Sequence, residues 1–144
     1  MKRTTMYVSL AGALMFSAAA FGISSAVDVP RTLMSRGDYA VAKQVIEKET
    51  RLSLAACRDV EGAARDVCKA EARAAERIKR ADLDARYHGT VSAAADAKLA
   101  HAKAHYDVAK AKCGVYGSEQ KVDCLQHARA EKARAFADAK LASL

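Results

Sequence analysis

The side chains in this sequence whose types and spacing could do chemistry are four cysteines and two histidines. Cys57 and Cys68 stand eleven positions apart, and the same interval separates Cys113 from Cys124. Thiols so placed could bind a metal, cycle between redox states or form structural disulfides. Zinc sites group their cysteines two to four residues apart, and redox pairs use C-x-x-C. Neither pattern occurs here, so the cysteines read as two disulfides. His101 and His105 stand at i,i+4, where one helix face lets both imidazoles reach one ion. Two ligands make an incomplete metal site, and a pair of exposed helical histidines is the plainer account. Asp107, His88 and His127 could join them only through the tertiary fold. No Ser/His/Asp or Cys/His set and no glycine-rich phosphate loop is recognisable. The sequence therefore predicts neither an enzyme nor a bound cofactor.

The elements that must position these residues read as helices throughout. Ser35-Arg36-Gly37-Asp38 supplies a cap and an early acid, after which Tyr39, Ala42, Val45, Ile46, Leu52 and Ala56 recur at roughly helical spacing. This predicts a first helix over about 38–59. Gly62 interrupts the chain. Beyond it Val67, Ala70, Ala74, Ile78, Ala81 and Ala85 mark a second helix, with Glu61 and Arg65, Glu76 and Arg80, and Asp82 and Arg86 as acid-before-base pairs at i,i+4. Gly89 ends that helix, Thr90 or Ser92 caps the next, and Val91, Ala95, Leu99, Ala102, Tyr106 and Ala109 mark the third. Gly114 and Gly117 close it, Ser118-Glu119 restarts the chain, and the fourth helix runs over about 119–141. The expected fold is all-α: two disulfide-stapled antiparallel hairpins, residues 38–88 and 89–144, packed as a four-helix bundle or extended as a rod.

An offset of 56 residues superposes Cys57 on Cys113 and Cys68 on Cys124, and matches Ala72-Arg73-Ala74 with Ala128-Arg129-Ala130. This points to an internal duplication. Two disulfide pairings are open. Nested staples would place Gly62, and Gly114 with Gly117, in tight turns inside Cys57–Cys68 and Cys113–Cys124. Two continuous helices hinged at Gly89 would instead pair Cys57 with Cys124 and Cys68 with Cys113, because positions eleven apart share a helix face. The second arrangement resembles the twin-cysteine motif of coiled-coil-helix-coiled-coil-helix proteins, whose spacing is one residue shorter. Three glycines inside the two segments oppose continuous helix and favour the nested pairing.

The stretch CRDVEGAARDVCKAEARAAE resembles the repeated element of small exported beta-proteobacterial proteins, in which a C-x10-C unit occurs twice along an Ala/Lys-rich helical chain. Members are sometimes labelled as related to the alanine-rich rod of the Tol envelope-coupling system. The resemblance spans about 38–140 and names no activity. The second unit, GVYGSEQKVDC, departs from the pattern in its first half.

Length and composition bound the rest. The chain has 144 residues, 51% nominally apolar, with no Trp and three Phe. Much of that apolar count is Ala, so little area can be buried per residue and covalent help is expected. Lys2 and Arg3, the uncharged run over 6–23 and the small residues Ser24-Ser25-Ala26 form a bacterial export signal over 1–26, with 27–37 as a loose lead. An uncleaved anchor is the rival, since the run is just long enough to span a bilayer. Export places the remaining chain in the periplasm, where disulfides persist, with no stable membrane insertion after cleavage. Loss of the signal leaves 22 basic against 17 acidic residues. That mild excess, spread among acids, is not the footprint of a nucleic-acid binder. The function expected is that of a periplasmic structural or interaction protein of the cell envelope, including a stress role, partnered by another envelope protein or by itself. The alternative is a binding module for a metal ion or an anionic envelope component, through His101 and His105 or the basic faces.

Overall fold

A computed structural model describes residues 34–142, so the expected signal peptide and most of the lead lie outside the described residues. The described chain is four α-helices with no strand among them: α1, Arg36–Ala56; α2, Gly62–His88; α3, Val91–Lys112; and α4, Ser118–Leu141. Helix α1 starts where Ser35 Oγ accepts the Asp38 N–H at 3.0 Å and donates to the Asp38 carboxylate at 2.8 Å. The last residues of the expected lead thus belong to this helix. It stops at Ala56, three residues short of the expected end, because Cys57–Asp59 tightens into a 3-10 turn and Val60 is extended. Thr90 caps α3 by accepting the Ala93 N–H at 3.1 Å.

The cysteines form the nested pairs. Cys57 is joined to Cys68 and Cys113 to Cys124, with Cα–Cα separations of 5.7 and 5.6 Å, and Cys57 and Cys113 are fully buried. Each bridge fastens the end of one helix to the start of the next. The two turns they enclose have the same backbone course from different sequences. In each, a 3-10 turn begins at the first cysteine, and two extended residues follow, Val60 and Glu61 in one and Tyr116 and Gly117 in the other. The tight-turn role holds for Gly62, which opens α2 at φ 59°. Gly114 and Gly117 also lie in their turn, Gly114 in the 3-10 segment and Gly117 as an extended residue, but neither takes the left-handed conformation. Nor does Ser118 cap α4: it is the first helical residue, and Gly117 holds the cap position without a side-chain bond. Gly89, at φ 62°, caps α2 and donates its N–H to the Ala85 carbonyl at 2.9 Å.

The helices do not close into a bundle. Helix α1 packs on α2, α2 on α1 and α3, and α3 on α2 and α4, and α1 and α4 do not meet. The result is one layer of antiparallel helices in chain order, with both disulfides at one end and Gly89 at the other. Alanine makes this arrangement workable. On α3, Ala95 and Ala102 are buried on one side, and Ala97 and Ala104, about half a turn round, are buried on the other. A helix clad in methyl groups on two opposite sides can approach a neighbour closely on each. The core that results is thin: among the described residues, Ile46 and Leu83 are its only large aliphatic side chains, the rest being alanines and the two buried cysteines. Val45 and Leu52, read from spacing as part of the inward stripe of α1, are 49% and 63% exposed. Tyr39, Ala42 and Ile46 of that stripe are buried or half-buried.

Polar pairs fix the register between helices. Lys79 meets Glu49 at 2.5 Å and Arg80 reaches Glu47 at 3.3 Å across α1 and α2. Arg77 pairs with Asp107, and Lys112 meets Glu71 at 3.0 Å, across α2 and α3. Of the acid-before-base pairs expected along α2, Glu76 and Arg80 meet at 3.0 Å. Asp82 turns instead to His101 on α3, and Arg65 donates to the Val60 and Arg58 carbonyls, tying the start of α2 to the turn before it.

Candidate functional site: the grooved face of the layer

A layer whose neighbouring helices are clad in alanine has furrows along its faces. One furrow, of about 890 Å³, runs over α2 between α1 and α3 and is lined by Ala42, Val45, Ile46 and Glu49 on one wall and Ala94 and Ala97 on the other, with Leu83 at its base. A second, of about 450 Å³, runs over α3 between α2 and α4. Its walls carry Asp82, Lys98, His101, His105 and Asp138, and its floor is Ala97, Ala102, Ala135 and Ala139. The two share Asp82 and Ala97, so they form one continuous face.

The second furrow contains the histidine pair found by spacing. His101 and His105 lie edge to face with ring centroids 6.4 Å apart. Asp82 Oδ1 stands 2.7 Å from His101 Nε2, which orients the imidazole and engages that nitrogen. A metal approaching His101 would therefore have to use Nδ1 or displace the carboxylate. The fold does not add the other histidines. His88 ends α2 beside Gly89, at the opposite end of the layer from His127, which stands 3.8 Å from Glu131 on α4. Asp107 is held by Arg77. Among the described residues, no group of three or more His, Cys, Asp or Glu side chains stands close enough to hold a metal ion. The Asp82–His101 pair resembles an oriented base, but the furrow is lined by neither a hydroxyl nor a thiol for it to activate. All four cysteines are oxidised.

A second constellation escaped sequence reasoning. Tyr39 and Tyr87 stack with centroids 4.3 Å apart, and Tyr39 donates its hydroxyl to Asp84 Oδ1 at 2.5 Å. The bond to Asp84 raises the Tyr39 pKa above the usual tyrosine value, with lesser contributions from burial and from the carboxylate's charge. These residues are 45 or more positions apart in pairing, and only the α1–α2 register brings them together. The spacing of Cys57 and Cys68 gives that register once the nested pairing is known, because the hairpin then aligns Tyr39 with Tyr87.

Comparison with protein-family models, with characterised proteins and with solved structures finds no match to this chain.

Proposed function

We propose that this chain is a structural or interaction protein of the bacterial cell envelope, resident in the periplasm, that presents helix faces to a protein partner and catalyses no reaction. The observation that carries this reading is the open layer itself. Two disulfides hold four helices in a fixed order while most of their surface, including Val41, Val45 and Leu52, stays exposed. Large apolar side chains left outside a thin alanine core are what a docking surface requires, and disulfides suit an oxidising compartment. The test is photo-crosslinking from α1 in living cells, with a crosslinking residue at position 45 or 52 and the adducts identified by mass spectrometry. Discrete adducts with envelope proteins or with this chain support the reading. A chain that yields none in the periplasm, or that stays in the cytoplasm, rejects it.

One observation favours a second reading, a binding module for a metal ion or an anionic envelope component: Lys98, His101 and His105 share one furrow. Titration with zinc and with inorganic phosphate, followed by calorimetry, tests it. Heat that disappears in a His101→Ala, His105→Ala chain supports binding there, and no heat at millimolar ligand removes this reading.

A further inference from the structure

The 56-residue offset that superposes the two disulfides also compares their surroundings, and these differ where a thiol could enter. In each bridge the first cysteine is shut in. Cys57 and Cys113 are both fully buried, so neither can be attacked from solvent, and as leaving groups they are equally enclosed. Cys68 and Cys124 are half-buried, each the seventh residue of its helix. One turn before Cys68, Arg65 donates to the Val60 and Arg58 carbonyls and is drawn over the turn. One turn after Cys68 stands Glu71, held by Lys112 at 3.0 Å. An anion arriving at Cys68 therefore meets a carboxylate. Moved by the offset, Val60, Ala64 and Glu71 become Tyr116, Gln120 and His127. With Cys124, these three line an open hollow of about 370 Å³. The position of the carboxylate is taken by an imidazole, and the next acid, Glu131, is 3.8 Å from it and a further turn along.

We propose that the Cys113–Cys124 bridge is a thiol–disulfide exchange site, entered at Cys124 through this hollow by a dithiol. One thiolate of the dithiol attacks Cys124 Sγ, the bond between the two cysteines breaks, and Cys113 leaves as a thiolate that takes a proton from water. The second thiol of the reagent, once deprotonated, attacks its partner sulfur in the mixed disulfide, closes its own S–S bond and releases Cys124. Two electrons and two protons pass from the dithiol to the bridge, and nothing else is consumed. Because the entering species is an anion, a carboxylate at the entrance opposes it and an imidazole does not. Opening this bridge has a defined consequence. Among the described residues, α4 meets only α3 and the turn Cys113–Val115, so the edge helix is loosened at its start. Helices α1, α2 and α3 stay joined by Cys57–Cys68 and by the ion pairs of Arg77, Lys79, Arg80 and Lys112. The inference goes beyond the interaction reading above and does not depend on it, since it needs only this bridge and a dithiol.

The test uses the oxidised chain, isolated as processed from its own cell, folded in low-salt buffer at neutral pH with dithiothreitol. Timed samples are quenched with iodoacetamide and mapped by mass spectrometry. Cys113 and Cys124 should be alkylated while Cys57–Cys68 is still intact in most molecules. With glutathione as the thiol, the adduct should sit on Cys124 and the free thiol on Cys113. A reduced C-x-x-C protein at the same thiol concentration, run beside dithiothreitol, shows by the faster opening whether a protein dithiol or a small one is preferred. His127→Glu should slow the opening of this bridge about threefold, the Coulomb effect of one carboxylate at i,i+3 in water, and leave Cys57–Cys68 in the same molecule as the reference. After selective opening and alkylation, amide hydrogen exchange should rise in α4 and not in α1 or α2. Both bridges opening together, Cys57–Cys68 opening first, or glutathione on Cys113 overturns the inference without needing any variant to fold. An opening rate unchanged by His127→Glu overturns entry at Cys124, and exchange that stays unchanged in α4, or rises alike in all four helices, overturns the selective release of that helix.

Discussion

Reducing the two disulfides should cost this protein much of its stability. Each bridge closes a loop with a sequence separation of 11. In the chain-entropy model a loop of that size restrains the unfolded chain by about 3 kcal/mol, so the pair supplies about 6 kcal/mol. Domains of this size have about 5–15 kcal/mol in total, and the core here contains little beyond alanine to supply it. Removal of one bridge by Cys57→Ala with Cys68→Ala should lower the melting temperature by about 12 °C, at about 4 °C per kcal/mol for roughly 100 residues. The corresponding Cys113→Ala with Cys124→Ala change should do about as much, and losing both should leave a chain largely unfolded at 37 °C. The assay is far-UV circular dichroism at 222 nm during thermal and urea unfolding, with thiol titration confirming the oxidation state. Melting curves that coincide with and without reductant would refute the reasoning, because they would mean that the alanine interfaces alone hold the layer.

Three further outcomes follow from particular residues. Leu83→Ala should cost about 2 kcal/mol in urea unfolding, the low end for a buried leucine, because the furrow above Leu83 lets neighbours and water relax into the gap. Gly89→Ala should destabilise by about 1 kcal/mol, since φ 62° strains any L side chain, whereas Gly114→Ala, with ordinary φ and open space about its Cα, should be neutral or slightly stabilising; the two urea midpoints must move in different directions or by clearly different amounts. The Tyr39 hydroxyl has its pKa raised in the folded state, so its contribution is complete below the unfolded tyrosine value of 10.0 and is lost as pH rises through the folded value. Tyr39→Phe should therefore flatten the loss of stability above pH 10, and an unchanged slope would show that the bond to Asp84 does not survive in solution.

The helices and their ends were legible because their signals are local. Ser35, Gly89 and Thr90 do what their residue types favour at those positions, and the apolar stripe over Val67 to Ala85 is the side of α2 that meets α3. What was not legible depends on which neighbours a helix has. The stripe on α3 that includes Ala95 and Ala102 was visible, but Ala97 and Ala104 carry no signal of burial, since alanine has no strong preference between core and surface. Their burial follows only from α3 lying between two helices. The α1 stripe failed in the opposite sense. Val45 and Leu52 match a helical period, yet α1 is an edge helix with a single neighbour, so half of its apolar residues have nothing to pack on. For the candidate site, i,i+4 spacing put His101 and His105 together, while the approach of Asp82 depends on the α2–α3 register, which no local signal encodes.

The distribution of fastenings along the layer bears on how it could work. The disulfides lock one end of both hairpins, and at the other end α1 is held to α2 by Tyr39, Tyr87 and Asp84. Between hairpins the link is the Gly89 turn and a dense alanine contact crossed by Arg77 with Asp107 and Lys112 with Glu71. Helix α4 is tied differently. Beyond Cys124 it meets α3 through Ala128 and Ala139, and the Lys132 ammonium lies over the Tyr106 ring at 4.6 Å. Across α1, α2 and α3 the register is marked by hydrogen-bonded ion pairs, whose geometry is directional, whereas these α3–α4 contacts are small-residue packing and a cation over an aromatic face.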